Sequence, residues 1–267
     1  MTPYKQVAID AVKEAGELLS QLLKNDIKYK MKTPHDILAE GDLISEEIII
    51  NKIKSHFPNH SILSEEKGEE NLSPEFLWII DPIDGTINFS RHIEEFCISI
   101  ALQVKERVIL GLIYQPLTDK MYVAERGKGA YLNKKRIFVS KEKDIIKSLI
   151  ATDISSNLEA RTKTFRILSN ISSQVRHVRI FGSSALHLTR LAEGQIDLYF
   201  KTVFKYWDFA AGMIIAEEAG GIVTDFEGNP LNRNSKNILA TNNILHPIAL
   251  KIIKKEIPHI VLRSVNN

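Results

Sequence analysis

Residues 78–89 read WIIDPIDGTINF, an apolar run that leads directly into two aspartates, a proline, a glycine and a threonine. Proline and glycine commonly mark the turn that follows a strand, and aspartate favours the start of such a turn. A turn alone does not explain why Asp81 and Asp84 stand together at the end of an apolar strand. Acidic residues elsewhere in the chain supply an explanation.

The chain around this stretch is predicted to form an N-terminal half built on one sheet. Apolar residues at helical spacing predict helices over 4–24 and 42–57, and Asp42 is the expected N-cap of the second helix. Short apolar runs at 60–66 and 76–85 predict buried strands that each end in acidic residues. Segments rich in strand formers and broken by turns predict an antiparallel meander from Ile98 to Ser140.

Beyond about residue 145, predicted strands and helices alternate, which is typical of an α/β unit. Strands are predicted within 148–154, 177–182, 196–201, 221–226 and 237–242, and helices over about 157–173, 184–193, 208–219 and 246–256. We therefore predict an α/β (α+β) chain with an antiparallel-sheet half, 1–145, and an α/β half, 146–267. No long linker separates the halves, so we expect them to share a cleft.

Composition excludes several classes of protein. The 35 Lys and Arg residues against 33 Asp and Glu residues give a formal charge of +2 without a polybasic tail, so we do not expect nucleic acid as a partner. The single cysteine, Cys97, excludes a disulfide framework and lies in an apolar run typical of a buried residue. The sequence has neither an apolar stretch of about 18 residues nor the apolar core of a signal peptide, which predicts a soluble, cytoplasmic protein.

Four acidic residues follow predicted strands or begin a predicted helix: Glu65, Asp81, Asp84 and Asp208. Each alone is typical of a helix cap or a solvated turn. Together they predict a magnesium site, because Mg²⁺ prefers oxygen ligands and the spacing of a His or Cys zinc site is absent. Pro82 fixes the backbone so that both aspartates and the Ile83 carbonyl can face one side, where two metal ions could share them.

Gly85 and Thr86 complete the features of a phosphoryl site. Glycine lets the backbone approach a ligand closely, and a helix that starts at Thr86 would offer free N–H groups to an anion. The Thr86 hydroxyl could also orient a water molecule. Haloacid dehalogenase-type phosphatases use Asp-x-Asp-Gly-Thr with the first Asp as nucleophile, but Pro82 stands at that position here. The pattern therefore indicates phosphate ester hydrolysis by metal-activated water.

The chain resembles the inositol monophosphatase superfamily of Mg²⁺-dependent, lithium-sensitive phosphatases. The resemblance rests on four motifs in the order of the family: ILSEE (62–66), WIIDPIDGTINF (78–89), ERGKGAYLNKKRI (125–137) and YWDFAAGMIIAEEAGG (206–221). It implies a five-layered α/β/α/β/α sandwich, commonly a homodimer, which hydrolyses inositol monophosphate and related small sugar or cyclitol phosphates with two to three Mg²⁺ ions.

The resemblance also implies a division of the metal ligands. Glu65, Asp81 and the Ile83 carbonyl would hold the first ion, and Asp81, Asp84 and Asp208 would hold the second. A third, weaker ion is known in the family, and Asp42 lies where an acidic residue is usually found near it.

Catalytic and substrate contacts are implied in the same way. Glu65 and Thr86 would position the attacking water, Asp84 would act through the metal that stabilises the leaving alkoxide, and the Gly85 and Thr86 amides would bind phosphate. The full set of implied substrate contacts is Asp84, Gly85, Thr86, Gly182, Ser183, Ser184, Lys201 and Asp208.

Two departures from the family pattern leave the substrate open. Lys201 stands where animal enzymes have a glutamate that contacts a substrate hydroxyl, and Gly182–Ser184 reads GSS where GSA or GTA is usual. Lys201 is either a solvated surface residue or a contact for a second phosphate, as in fructose 1,6-bisphosphate. The alternatives are thus a fructose-1,6-bisphosphatase, a 3'-phosphoadenosine 5'-phosphate phosphatase, or a regulatory binding protein like bacterial relatives that contact the transcription machinery. The intact set of metal ligands weighs against a purely non-catalytic role.

Overall fold

The N-terminal half forms one large sheet with two long helices on one face. The structure, a computed structural model, describes residues 2–73 and 75–261. The helices of this half are α1 (Pro3–Leu22), α2 (Glu40–His56) and the short α3 (Thr86–Ser90). Its strands are β1 (Tyr29–Thr33), β2 (Asp36–Ala39), β3 (Ser61–Ser64), β4 (Gly68–Glu70), β5 (Phe76–Asp84), β6 (Cys97–Val104), β7 (Arg107–Gln115), β8 (Lys120–Glu125), β9 (Gly129–Leu132) and β10 (Lys135–Arg136).

The C-terminal half adds a second sheet with helices on both faces. Its strands are β11 (Leu149–Thr152), β12 (His177–Arg179), β13 (Leu198–Lys201), β14 (Gly221–Thr224) and β15 (Ile238–Asn242). Its helices are α4 (Leu158–Ile171), α5 (Ser184–Ala192), α6 (Tyr206–Glu218) and α7 (His246–Val261).

Both sheets are mixed in strand direction. The first has the order β10-β9-β8-β7-β6-β5-β3-β4, in which β5 pairs parallel to β3 and antiparallel to β6. The predicted antiparallel meander is confirmed as β6 to β10. The second has the order β12-β11-β13-β15-β14, with β11 parallel to its two neighbours and β15 antiparallel to both of its own.

The layers follow from three clusters of buried side chains. One joins α1 and α2 to the first sheet, with Leu19 and Trp78 at its centre, and another joins α4 and α7 to the second sheet. The largest lies between the two sheets and encloses α5 and α6. The order α, β, α, β, α confirms the predicted five-layered sandwich.

Helix α6 is the central element of this sandwich. Nine of its residues are buried, as expected for a helix that is apolar on every side and covered by a sheet on each face. It lies so close to β7 that a Cβ atom on Gly111 would stand 2.4 Å from Ile214 Cγ2 and 2.6 Å from the Ala211 carbonyl oxygen. Only glycine allows this approach.

Some local predictions differ from the structure. Helix α2 begins at Glu40, so the prediction of Asp42 as its N-cap is wrong: Ala39 holds that position, and Asp42 Oδ2 accepts the Ala39 backbone N–H at 2.7 Å from the third helical position. The β1–β2 hairpin and β4 were not predicted. The separation of the chain near residue 145 stays a prediction. Within the described residues, no helix has the length and apolar character needed to cross a membrane.

Candidate active site

The candidate site lies where strand β5 ends. The ladder between β5 and β6 becomes irregular between Asp81 and Asp84, which are 1% and 9% exposed. Asp81 Oδ1 accepts the Ile83 backbone N–H at 3.1 Å, and the Ser45 hydroxyl donates to the Pro82 carbonyl at 3.0 Å. These contacts fix the turn so that both carboxylates face one open cavity of about 710 Å³.

The cavity brings together most of the residues predicted from the sequence. Those that line it are Glu65, Asp81, Ile83, Asp84, Gly85, Thr86, Gly182, Lys201 and Asp208. Ser183 and Ser184 lie beneath the lining and are buried. The fold joins these positions because β3 and β5 run parallel and end at the same edge of the first sheet, opposite the start of α6.

Glu65 is placed by the parallel pairing of β3 with β5. Its backbone N–H donates to the Ile80 carbonyl at 3.3 Å, which sets it beside Asp81. Its Oε1 accepts from Lys32 Nζ of the β1–β2 hairpin at 3.1 Å. The following turn is held by buried Glu46, whose Oε1 accepts the backbone N–H groups of the next two residues at 3.0 and 3.2 Å.

The GSS loop holds Asp84 from below. Asp84 Oδ2 accepts from the Ser183 hydroxyl at 2.5 Å and from the Ala185 backbone N–H at 2.6 Å, at the start of α5. No described residue donates a hydrogen bond to Asp84 Oδ1. One oxygen of this carboxylate is therefore fixed by the protein, and the other is available to a ligand.

Asp208 likewise has one oxygen that is held by the protein and one that is available to a ligand. It occupies the first turn of α6, where its Oδ2 accepts the Lys205 backbone N–H at 2.9 Å and lies 3.4 Å from Lys201 Nζ. A carboxylate at this place is stabilised by the free N–H groups of the helix. No donor in the described part of the chain reaches Oδ1.

Thr86 follows a glycine that no other residue could replace without strain. Gly85 has φ of +99°, and a Cβ atom there would lie 2.9 Å from the Glu95 carbonyl oxygen. The Thr86 hydroxyl stands 3.2 Å from Asp42 Oδ1 and 3.0 Å from the Ile83 carbonyl oxygen, so its single hydrogen can go to either. Asp42 Oδ2 accepts the Ala39 N–H, and Asp42 Oδ1 is placed to orient Thr86.

Burial and mutual repulsion make these acids hard to ionise in the absence of a cation. Burial is the largest cause and raises the pKa of Asp81 well above its usual range, that of Asp42 to about 8, that of Glu65 to about 7 and that of Asp84 to about 6. Neighbouring carboxylates add to each shift, and for Asp84 the main one is Asp208. A cluster of this kind favours a bound cation.

The donor set fits Mg²⁺. It consists of carboxylate and carbonyl oxygens, which a hard divalent cation prefers, and the free oxygens of Asp84 and Asp208 face the cavity. Among the described residues, no three His, Cys, Asp or Glu side chains already stand in a metal-binding geometry. Instead, the ammonium groups of Lys32 and Lys201 pair with Glu65 and Asp208.

A buried network behind Lys201 was not found by the sequence analysis. Asp153 Oδ2 accepts from the Ser184 hydroxyl at 3.1 Å and the Tyr199 hydroxyl at 3.0 Å, and lies 3.3 Å from His187 Nδ1. Ser184 Oγ in turn accepts from Lys201 Nζ at 2.6 Å. Asp153 follows strand β11, and this position of an acid after an apolar strand, which identified Asp81, could also have identified Asp153.

Several basic side chains also line the cavity. They are Arg161 of α4, Lys205, His35 and Lys32, which pairs with Glu65. The Arg161 Nε donates to the Ser155 carbonyl at 3.0 Å, which holds the side chain near the start of α4. The cavity is thus lined by both acidic and basic side chains.

Comparison with known proteins identifies the family. A model of the Inositol monophosphatase family matches residues 1–258. Inositol monophosphatase 1 of Solanum lycopersicum is 37% identical over 244 residues, which cover 88% of this chain and 89% of that protein. Nus factor SuhB of Vibrio cholerae is 38% identical over 246 residues, which cover 91% of this chain and 92% of that protein.

Solved structures agree with the sequence relatives. The extragenic suppressor protein suhB from Bartonella henselae superposes with a TM-score of 0.90 at 33% identity, covering 95% of this chain and 99% of that chain. The Thermotoga maritima IMPase superposes with a TM-score of 0.89 at 33% identity, covering 97% of this chain and 100% of that chain. The chain therefore belongs to the inositol monophosphatase family, whose members are generally metal-dependent phosphatases.

Proposed function

We propose that this member of the inositol monophosphatase family is a Mg²⁺-dependent phosphatase of inositol monophosphate and related small sugar phosphates. The observation that carries the proposal is the convergence of four carboxylates and Thr86 on one cavity, with the free oxygens of Asp84 and Asp208 on its floor. The raised pKa values of Asp81, Glu65 and Asp84 support it, since burial and then the neighbouring carboxylates disfavour their ionisation and so favour a bound cation.

The proposed ligands are those implied by the motifs. Glu65, Asp81 and the Ile83 carbonyl would hold one ion, and Asp81, Asp84 and Asp208 a second. Bound Mg²⁺ would supply a Lewis acid for the phosphate and would lower the pKa of water. Asp42 would serve through Thr86 in this scheme, because its Oδ2 accepts the Ala39 N–H and its Oδ1 lies 3.2 Å from the Thr86 hydroxyl.

The side chains of the site would then position the reactants. With its hydrogen donated to Asp42 or to the Ile83 carbonyl, the Thr86 hydroxyl can accept from an attacking water. Glu65, with its pKa near 7, can receive a proton from that water. The backbone N–H groups at Gly85 and Thr86 would bind the phosphate oxygens.

The basic side chains of the cavity favour a second candidate substrate class. Arg161 and Lys205 line the cavity together with Lys201, which suits a substrate with a second phosphate such as fructose 1,6-bisphosphate or 3'-phosphoadenosine 5'-phosphate. A regulatory role is the other alternative, since some relatives are named Nus factors. The complete set of site carboxylates weighs against a role without turnover. A cytoplasmic location and a homodimer stay predictions.

A phosphate-release screen tests the proposal. The purified protein is assayed with Mg²⁺ against about twenty phosphate esters, including inositol 1-phosphate and both bisphosphates, with Asp84→Asn as the inactive control. We expect turnover of one or more esters that depends on Asp84. Absence of turnover for every ester, together with a protein partner that both the wild type and Asp84→Asn retain in a pull-down, would favour the regulatory alternative.

A further inference from the structure

Lys201 lies among the acids of the site, although its position in the sequence suggested a substrate contact or a surface residue. Its side chain is 16% exposed. The ammonium donates to Ser184 Oγ at 2.6 Å and lies 3.4 Å from Asp208 Oδ2. Lys201 is therefore held by two partners and directed at one end of the proposed metal site.

Ser184 and Asp153 hold this ammonium in place on the side away from Asp208. Ser184 donates its own hydrogen to buried Asp153, so its oxygen is free to accept from Lys201. Asp153 is in turn fixed by Tyr199. Each hydroxyl in this chain thus has one defined direction, and the ammonium has a fixed acceptor on the side away from Asp208.

Part of the negative charge at this end of the site is consequently neutralised before any ion binds. Asp84 and Asp208 bring two negative charges, and Lys201 supplies one positive charge within hydrogen-bonding reach of Asp208. A divalent ion that binds the free oxygens of Asp84 and Asp208 must stand close to this ammonium, and two cations a few ångströms apart in a partly buried site repel strongly.

We infer that Lys201 is a built-in cation that competes with a divalent ion for the Asp84 and Asp208 end of the site. The inference rests on the proposed metal site and deepens it: the affinity of the ion at this end is set by the charge at position 201. Lys201 is a charge-balancing residue in this scheme, and Ser184 and Asp153 are its positioning residues.

The test measures ion binding without substrate. Mn²⁺ is titrated into the metal-free full chain, and bound ions are counted by electron paramagnetic resonance and calorimetry. Lys201→Met keeps the length of the side chain and removes the charge, so the ion at the Asp84 and Asp208 end should bind at least about tenfold more tightly. Lys201→Arg keeps the charge and should stay within about threefold of the wild type. Lys201→Gln provides a second uncharged variant that can still hydrogen-bond to Ser184.

Lys205→Met is the matched control. Lys205 also lines the cavity, but it is exposed and gives Asp208 only its backbone N–H, so its removal should leave Mn²⁺ affinity within about threefold. Unchanged isotherms in both uncharged variants would overturn the inference. So would equal tightening in Lys201→Arg, which would point to packing, or in Lys205→Met, which would point to overall charge.

Failure of the proposed activity gives a different result. A wild-type protein that binds Mn²⁺ in this charge-dependent way but releases phosphate from no ester would refute the activity and leave the inference in place. An active enzyme whose isotherms do not depend on residue 201 would refute only the inference.

Discussion

Replacement of Asp84 by asparagine should raise the stability of the metal-free protein and lower its activity. Both partners of Asp84 Oδ2 are donors, at 2.5 and 2.6 Å, so the amide of Asp84→Asn must place its oxygen there. Its NH₂ group then takes the position of Oδ1 and faces the cavity. The fold keeps both hydrogen bonds, while the free ligand oxygen is replaced by a donor.

The expected effect on stability follows from the pKa of Asp84. Burial raises this pKa from its ordinary value of 3.8 to about 6, so the folded protein binds the proton more tightly than the unfolded chain. The ionised carboxylate therefore destabilises the metal-free fold, and this effect is complete above pH 6. The pKa difference between the folded protein and the unfolded chain corresponds to about 3 kcal/mol. At pH 8 without Mg²⁺ we expect Asp84→Asn to be more stable than the wild type, by about 1 to 3 kcal/mol.

The expected effect on turnover has the opposite sign. Loss of a central electrostatic contact in the transition state is worth roughly 3 to 4 kcal/mol or more, a fall in kcat of at least about a hundredfold. Chemical denaturation at pH 8 with and without Mg²⁺ measures the first effect, and phosphate release at saturating Mg²⁺ measures the second. Mg²⁺ should stabilise the wild type more than the variant. A variant that retains more than about a tenth of wild-type kcat, or that is less stable than the metal-free wild type, would contradict the assignment of Asp84 as a buried metal ligand.

Three further predictions test other parts of the site and fold. Thr86→Ala should lower kcat far more than it raises KM, whereas Thr86→Ser should keep substantial activity; equal damage in both would indicate a packing role. Activity should require Mg²⁺, disappear with a chelator and fall in millimolar Li⁺, and full activity in excess chelator would contradict the metal assignment. His246 is neutral between Thr241 at 2.9 Å and Thr224 at 3.1 Å, and burial lowers its pKa below 6.5, so it destabilises the fold as pH falls below 6.5. Denaturation of Mg²⁺-saturated protein from pH 7.5 to 5.5 should show a smaller loss of stability in His246→Gln than in the wild type, and equal losses would contradict the assignment.

The sequence allowed the fold and the acids to be predicted because both depend on local patterns. Strand β5 is buried along nearly its whole length and ends at two aspartates, and Asp208 stands at the start of a helix whose middle is wholly apolar. Patterns of this kind remain visible without any knowledge of tertiary contacts. The β1–β2 hairpin could not be predicted in the same way, because every residue of β1 is exposed and its apolar residues do not mark a buried face.

Contacts between residues that are far apart in the sequence could not be predicted from local patterns. The prediction of Asp42 as an N-cap fails because Asp42 stands at the third helical position, where its side chain accepts the backbone N–H of the N-cap residue Ala39. Its contact with Thr86, 44 positions away, depends on the packing of α2 against β5. The partners of Lys201 come from α5 and α6, so its environment could not be deduced from its neighbours in sequence.

Because α6 lies so close to β7, the geometry of the active site depends on Gly111, a residue that belongs to none of the motifs. A side chain at Gly111 would push the middle of α6 away from the sheet, and Asp208 is part of the first turn of that same rigid helix. Sequence drift at position 111 is therefore limited by the geometry of a site that it never touches. Two sequences that share every cavity residue could differ in activity through this single buried glycine.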